Sequence, residues 1–159
     1  MRYCPNCKTK KYTKRPSTCP ECNNSMIRVD GRLRKVVEML SKSEYQVAFA
    51  TCESYTVSEM CVAEIFIGFE KPYDKFIFEG LPEHFEFESD QYAHQVPYSL
   101  NYVLNHIGKP MSMLLFSYCG DTTRHTPANK ELRKAIAELY DWTLGISDRW
   151  CVYKLGGYL

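Results

Sequence analysis

The apolar positions of this chain change period several times, and each change marks an element. Leu33, Val36, Val37 and Leu40 fall at i, i+3, i+4 and i+7, the stripe of an amphipathic helix starting at Asp30-Gly31. In the run CVAEIFIGF, Cys61, Ala63, Ile65, Ile67 and Phe69 share one face by the period of two, which predicts a strand over 61–69. The run QVAFAT at 46–51 predicts another. The polar stretch 51–60 between them reads as the loop of a hairpin. Short alternating pieces follow at 75–79 (KFIFE) and 85–89 (FEFES), separated by the turn residues Gly80-Leu81-Pro82.

Pro97 opens a helix over 98–107, which Gly108 and Pro110 end. An apolar strand is expected over 111–118. A second strongly amphipathic helix spans 129–144, with Asn129 as its cap and Leu132, Ile136, Leu139 and Thr143 in register. The run RWCVYKL at 149–155 reads as a closing strand. Strands meeting in hairpins with helices between them predict an α+β fold over 30–159. Its sheet should be largely antiparallel, with about three helices packed on it.

Residues 1–29 carry no such period. Their pattern is two tight cysteine pairs, Cys4-Pro5-Asn6-Cys7 and Cys19-Pro20-Glu21-Cys22, separated by eleven residues. A Cys-x-x-Cys turn aims two sulfurs at one point, and two such turns complete the four-thiolate tetrahedron of a structural zinc site. That shell leaves no open position for a catalytic water. A segment this short cannot bury enough apolar surface to fold alone, so one structural Zn²⁺ replaces a core. On the knuckles CPNC and CPEC the segment resembles the zinc-ribbon group. That resemblance implies metal binding by Cys4, Cys7, Cys19 and Cys22, and by itself no particular function. The reading divides the chain into a zinc ribbon at 1–29 and an α+β domain at 30–159.

Composition sets the class. The 159 residues are 45% hydrophobic and 25% charged, as in a folded globular protein. No apolar run reaches the roughly 18–20 residues that span a bilayer, and the N-terminus lacks a signal-peptide core. A cytoplasmic, reducing location is expected, with no membrane partner. The scattered Cys52, Cys61, Cys119 and Cys151 then read as free thiols rather than disulfides.

Charge adds the functional clue. The net charge is only +1, but residues 1–36 hold ten Lys/Arg against two Asp/Glu and the remainder is −7. Four thiolates and one Zn²⁺ sum to about −2, which leaves the basic end near +6. Lys8, Lys10, Lys11, Lys14 and Arg15 crowd between the knuckles beside Tyr12. Cations neutralise phosphates and an exposed ring stacks on a base, so this loop points to nucleic acid. A protein partner with an acidic surface, or plain solvation of a small module, would use the same residues. Arg28, Arg32, Arg34 and Lys35 at the first helix extend the basic surface.

The stretch from Glu44-Tyr45 through Cys52-Glu53-Ser54-Tyr55 to Ile65-Phe66-Ile67-Gly68-Phe69 is similar to uncharacterised small proteins of Gram-positive bacteria and their phages. It departs at Ser54-Tyr55, where that group has Gly-His. The resemblance implies an accessory protein of a phage or mobile element and carries no activity.

Two further chemistries have candidate residues in the chain. The loop Asp121, Thr122, Thr123, Arg124 and His125 follows an apolar strand and precedes a helix, a place where α/β sheets bind ligands such as nucleotides. A Cys-His nucleophile would need Cys52 or Cys119 beside one of the four histidines. The chain lacks a Walker loop, a dinucleotide glycine fingerprint and the common hydrolase signatures. The balance favours a non-enzymatic accessory binding protein whose basic ribbon contacts nucleic acid, its body adding a second surface or a homodimer contact. A protein that modulates a host protein, or a nucleotide-binding protein using residues 121–125, are the alternatives.

Overall fold

The computed structural model describes residues 1–13, 15, 17–89 and 110–146. Seven strands form one sheet. They are β1 (Arg2–Tyr3), β2 (Lys10–Lys11), β3 (Ile27–Val29), β4 (Val47–Val57), β5 (Met60–Phe69), β6 (Phe85–Glu88) and β7 (Ser112–Gly120), in the spatial order β2-β1-β3-β4-β5-β7-β6. Two α-helices, α1 (Arg34–Lys42) and α2 (His125–Leu144), are present among the described residues. Only the β3–β4 pairing is parallel. Parallel neighbours need a crossover connection, and α1 supplies it.

The expected α+β class and largely antiparallel sheet are therefore present. The expected count of about three helices becomes two among the described residues. The helix expected over 98–107 and the strand over 149–155 lie outside the described residues.

Both helices pack on one side of the sheet. Val36, Val37 and Leu40 of α1 join Ala128, Leu132, Ala135 and Leu139 of α2 in one core with Ala50, Ala63, Ile65, Ile67, Leu114 and Phe116. The period-two residues of β5 thus face the helices, as their alternation predicts. The core closes at one end on an aromatic group. The Phe78 ring stacks on Phe87 at 3.9 Å between centroids, and the Trp142 indole Nε1 donates to the Glu79 carbonyl at 3.0 Å.

Three local expectations are corrected. Residues 51–60 are not a loop: β4 runs on to Val57, and only Ser58 and Glu59 turn the hairpin. Both have positive φ, 47° and 67°, the left-handed pair that a two-residue hairpin requires. The absence of Gly or Asn hid that turn. Residues 75–78 form a 3-10 turn instead of a strand, because the Asp74 carboxylate accepts the Phe76 N–H at 2.8 Å and caps it. Helix α2 begins at His125, four residues before Asn129. Pro127 is compatible with a first helical turn, and Asn129 bonds the Ser54 hydroxyl of β4 instead of capping.

On the face away from α1 and α2, Phe49 lies opposite Gly68, and a Cβ at residue 68 would clash with the edge of the Phe49 ring. Phe49 is itself buried, so the ring has little room to yield. Gly68→Ala should cost about 1–3 kcal/mol by overpacking. Chemical denaturation will show this as a lowered midpoint with an unchanged slope.

Candidate metal centre

The two cysteine turns are built alike. In each, the first cysteine's carbonyl accepts the N–H four residues on: Lys8 to Cys4 at 2.8 Å, and Asn23 to Cys19 at 2.9 Å. In each, the first cysteine's own N–H donates to the carbonyl five residues on, from Cys4 to Thr9 and from Cys19 to Asn24. Closing so tight a loop needs a left-handed residue right after the second cysteine. Lys8 (φ 58°) and Asn23 (φ 61°) supply it. Asparagine tolerates this region comparatively well, whereas lysine does so at a cost of about 1–2 kcal/mol.

The turns face each other. The four Sγ atoms of Cys4, Cys7, Cys19 and Cys22 all lie within 4.8 Å of one another, with Cys4 and Cys22 at 3.6 Å. A tetrahedral ion held at the usual metal–sulfur distance spaces its ligands by about 3.8 Å. The donor set, its count and its spacing all fit a metal ion, and a slight contraction would complete the shell. Met26 packs against the cluster, and Ser17 brackets it by accepting the Met26 N–H at 2.9 Å.

Without a metal the four thiols differ. Burial pushes the Cys4 thiol up, and hydrogen bonding to Cys22 pushes Cys7 up to about 12. Burial also acts against the Cys19 thiolate, but the backbone N–H groups of Cys22 and Glu21 outweigh it and bring Cys19 down to about 6. The Asn24 N–H lowers Cys22. The second pair therefore ionises before the first.

No family model, curated protein or solved structure matches this chain. What it does has to follow from its own side chains.

The metal centre is tied to the body through Tyr3 and Val29. Tyr3 precedes Cys4, is fully buried, and shares the main core with Val29, Leu33 and Val36. The Val29 N–H donates to the Met1 carbonyl at 3.0 Å, and the next N–H, of Asp30, donates to Ala50 of β4 at 2.8 Å.

The predicted basic residues sit at the outer edge of the sheet. Lys10 and Lys11 are the exposed edge strand β2, with Lys8 and Arg15 exposed on either side. Tyr12 is 87% exposed. Lys14 lies outside the described residues. None of Lys8, Lys10, Lys11 and Arg15 makes an ion pair with a described residue. Arg28 belongs to β3, not to the first helix. Arg32 and Arg34 are already engaged, with Asp30 at 3.0 Å and Glu38 at 3.2 Å.

The other candidates are placed as follows. Asp121, Thr123, Arg124 and His125 are exposed. The Thr122 hydroxyl accepts the Arg124 N–H at 3.2 Å, a local turn bond, and His125 is the first residue of α2. Cys52 is buried, and burial pushes its thiol up to about 12, opposite to what a nucleophile needs. Cys61 is buried and Cys119 exposed. Cys151 lies outside the described residues. No described helix is long and apolar enough to cross a membrane.

Metal binding at about pH 7.5 should release protons, those of Cys4 and Cys7 among them, seen as a buffer-dependent heat in titration calorimetry. Affinity should fall as pH drops through about 6, where Cys19 takes up its proton. Because Tyr3 and Val29 belong to the body's core, a strong chelator should lower the main melting transition as well as unfold the cysteine turns.

Proposed function

We propose that this chain is a non-enzymatic accessory protein whose N-terminal module is a zinc ribbon that contacts nucleic acid. Zinc is the metal assigned because four thiolates in a closed tetrahedral shell suit it and leave no ligand position for chemistry. Iron would suit the same sulfurs. Elemental analysis of protein purified without added metal should return one zinc per chain, and a coloured protein containing iron would overturn the assignment.

The observation that carries the nucleic-acid reading is the exposed cation cluster. Lys8, Lys10, Lys11 and Arg15 project from a module whose shape the metal fixes, beside a ring that is almost wholly in solvent. Unpaired cations on a rigid support bind polyanions by releasing their counterions. The metal supplies rigidity, the cations supply affinity, and Tyr12 offers a stacking surface. The body carries the opposite sign, −7 over residues 37–159, which confines any polyanion to the ribbon end.

Fluorescence anisotropy with labelled DNA and RNA at low salt tests this. Affinity should fall linearly on a log–log salt plot. Replacing Lys10, Lys11, Lys14 and Arg15 together by Gln should flatten that slope, by up to about 3 if all four meet phosphates, at roughly 0.7 per single-strand phosphate contact. Absence of binding to any DNA or RNA form at low salt would overturn the reading.

A further inference from the structure

The register of the three short strands places cations where the linear sequence does not. Arg2 on β1 stands directly opposite Lys11 on β2 and directly opposite Arg28 on β3. Directly opposed residues lie on the same face of a sheet. The next residue on β1, Tyr3, turns to the other face and is buried among the helix-side residues. Lys11, Arg2 and Arg28 therefore form one row on the face away from α1 and α2, while Lys10, opposite Tyr3, lies on the helix side. With strands about 4.8 Å apart, the row is about 10 Å long. It stops at Phe49, which faces Arg28 from β4 and is buried.

Like charges opposed across strands work against the sheet. The register thus sets the charges of Lys11, Arg2 and Arg28 against one another across three strands. An anion lying across the row would relieve it. Lys11 and Arg28 are exposed and make no ion pair with a described residue. Tyr12 is the first residue beyond β2, next to Lys11 in the chain, with its ring in solvent. A ring there can stack only on a base that is not already paired and stacked in a duplex.

We propose that the row Lys11–Arg2–Arg28, with the adjoining exposed Tyr12, is a contact strip for single-stranded nucleic acid, the cations meeting backbone phosphates and Tyr12 stacking on a base. This rests on the nucleic-acid reading above and adds to it a face and a strandedness. It makes Arg2 and Arg28 contact residues and removes Lys10 from the strip.

The test compares two variants that remove equal charge, one from the row and one from outside it. Full-length metal-loaded protein is titrated into labelled single-stranded 20-mers of DNA and RNA, and into the corresponding duplexes. Lys11→Gln/Arg28→Gln should weaken single-strand binding at least tenfold and flatten the salt slope by about 1.4. Lys8→Asn/Lys10→Gln should weaken it less than threefold. Tyr12→Ala should weaken it at least fivefold on single strands and leave duplex binding unchanged. Lys11→Arg/Arg28→Lys should bind like the wild type. Metal content and melting temperature identify any variant that fails to fold, and Arg2 is left intact because it adjoins Tyr3 and Cys4.

Equal losses from the two glutamine-type pairs would overturn the strip and leave a diffuse basic surface, with the proposed function standing. Duplex bound as tightly as single strand would overturn the strandedness. No binding by the wild type would overturn the proposed function and the strip together.

Discussion

Strand β3 is hydrogen-bonded on both sides, and the cysteine turns and the body meet through it. Its antiparallel partner is β1, which leads straight into Cys4, and its parallel partner is β4, the start of the long hairpin. Three residues are a weak strand on their own. What holds Ile27–Val29 in place is the fixing of both ends. On one side the chain leaves the cysteine cluster at Cys22 and Asn23. On the other, Asp30 accepts the Arg32 N–H, pairs with the Arg32 guanidinium at 3.0 Å, and lets Arg32 reach the Cys52 carbonyl of β4 at 2.9 Å. The Asp30 carboxyl is held below its usual range; burial acts against this, and the Arg32 hydrogen bonds outweigh it. The turn from strand to helix is thus pinned to the body at the point where the cysteine module ends.

This continuity alters what a metal ion would do here. In an isolated ribbon the ion replaces a core outright. Here the ion would also set the geometry of β1, and β1 carries Tyr3 into the main core. Burying an aromatic ring contributes roughly 1.5–3 kcal/mol. That gain is present only while Cys4 is held where Tyr3 can reach α1. Metal binding, ring burial and strand pairing are therefore linked steps, and each is weaker without the others.

How much was legible in the sequence follows from the range of the interaction that decides each feature. Cys4, Cys7, Cys19 and Cys22 were legible because two residues between cysteines is a local distance, and the structure brings all four together. The α1 stripe and the β5 alternation were legible because one face of each is buried, so the period is written in the residues. The outer half of β4 was not. Glu53, Tyr55 and Thr56 are polar because that end of the hairpin meets solvent, and polarity alone reads as loop. The start of α2 was missed because a helix that opens without a side-chain cap leaves no signal at Arg124. The parallel β3–β4 pairing, and the cation row across β1, β2 and β3, depend on registers set by the turns at Lys8 and Asn23. No periodicity records them.

The cation row is also the feature that the fold explains least by stability alone. Three opposed cations on three short strands at one end of the sheet are a poor choice for a sheet that only has to stand. Two elements offset the repulsion. The thiolate cluster next to β1 would carry a net charge of about −2 with a divalent ion bound, which attracts the row from one side. Tyr3 and Val29 anchor the same strands from the helix side through apolar burial. A surface that is repulsive within itself, yet held rigid by a bound metal and a core contact, would be preorganised for an anion, as the proposed strip requires. Little reorganisation is needed on binding, so a larger share of the electrostatic attraction appears as affinity.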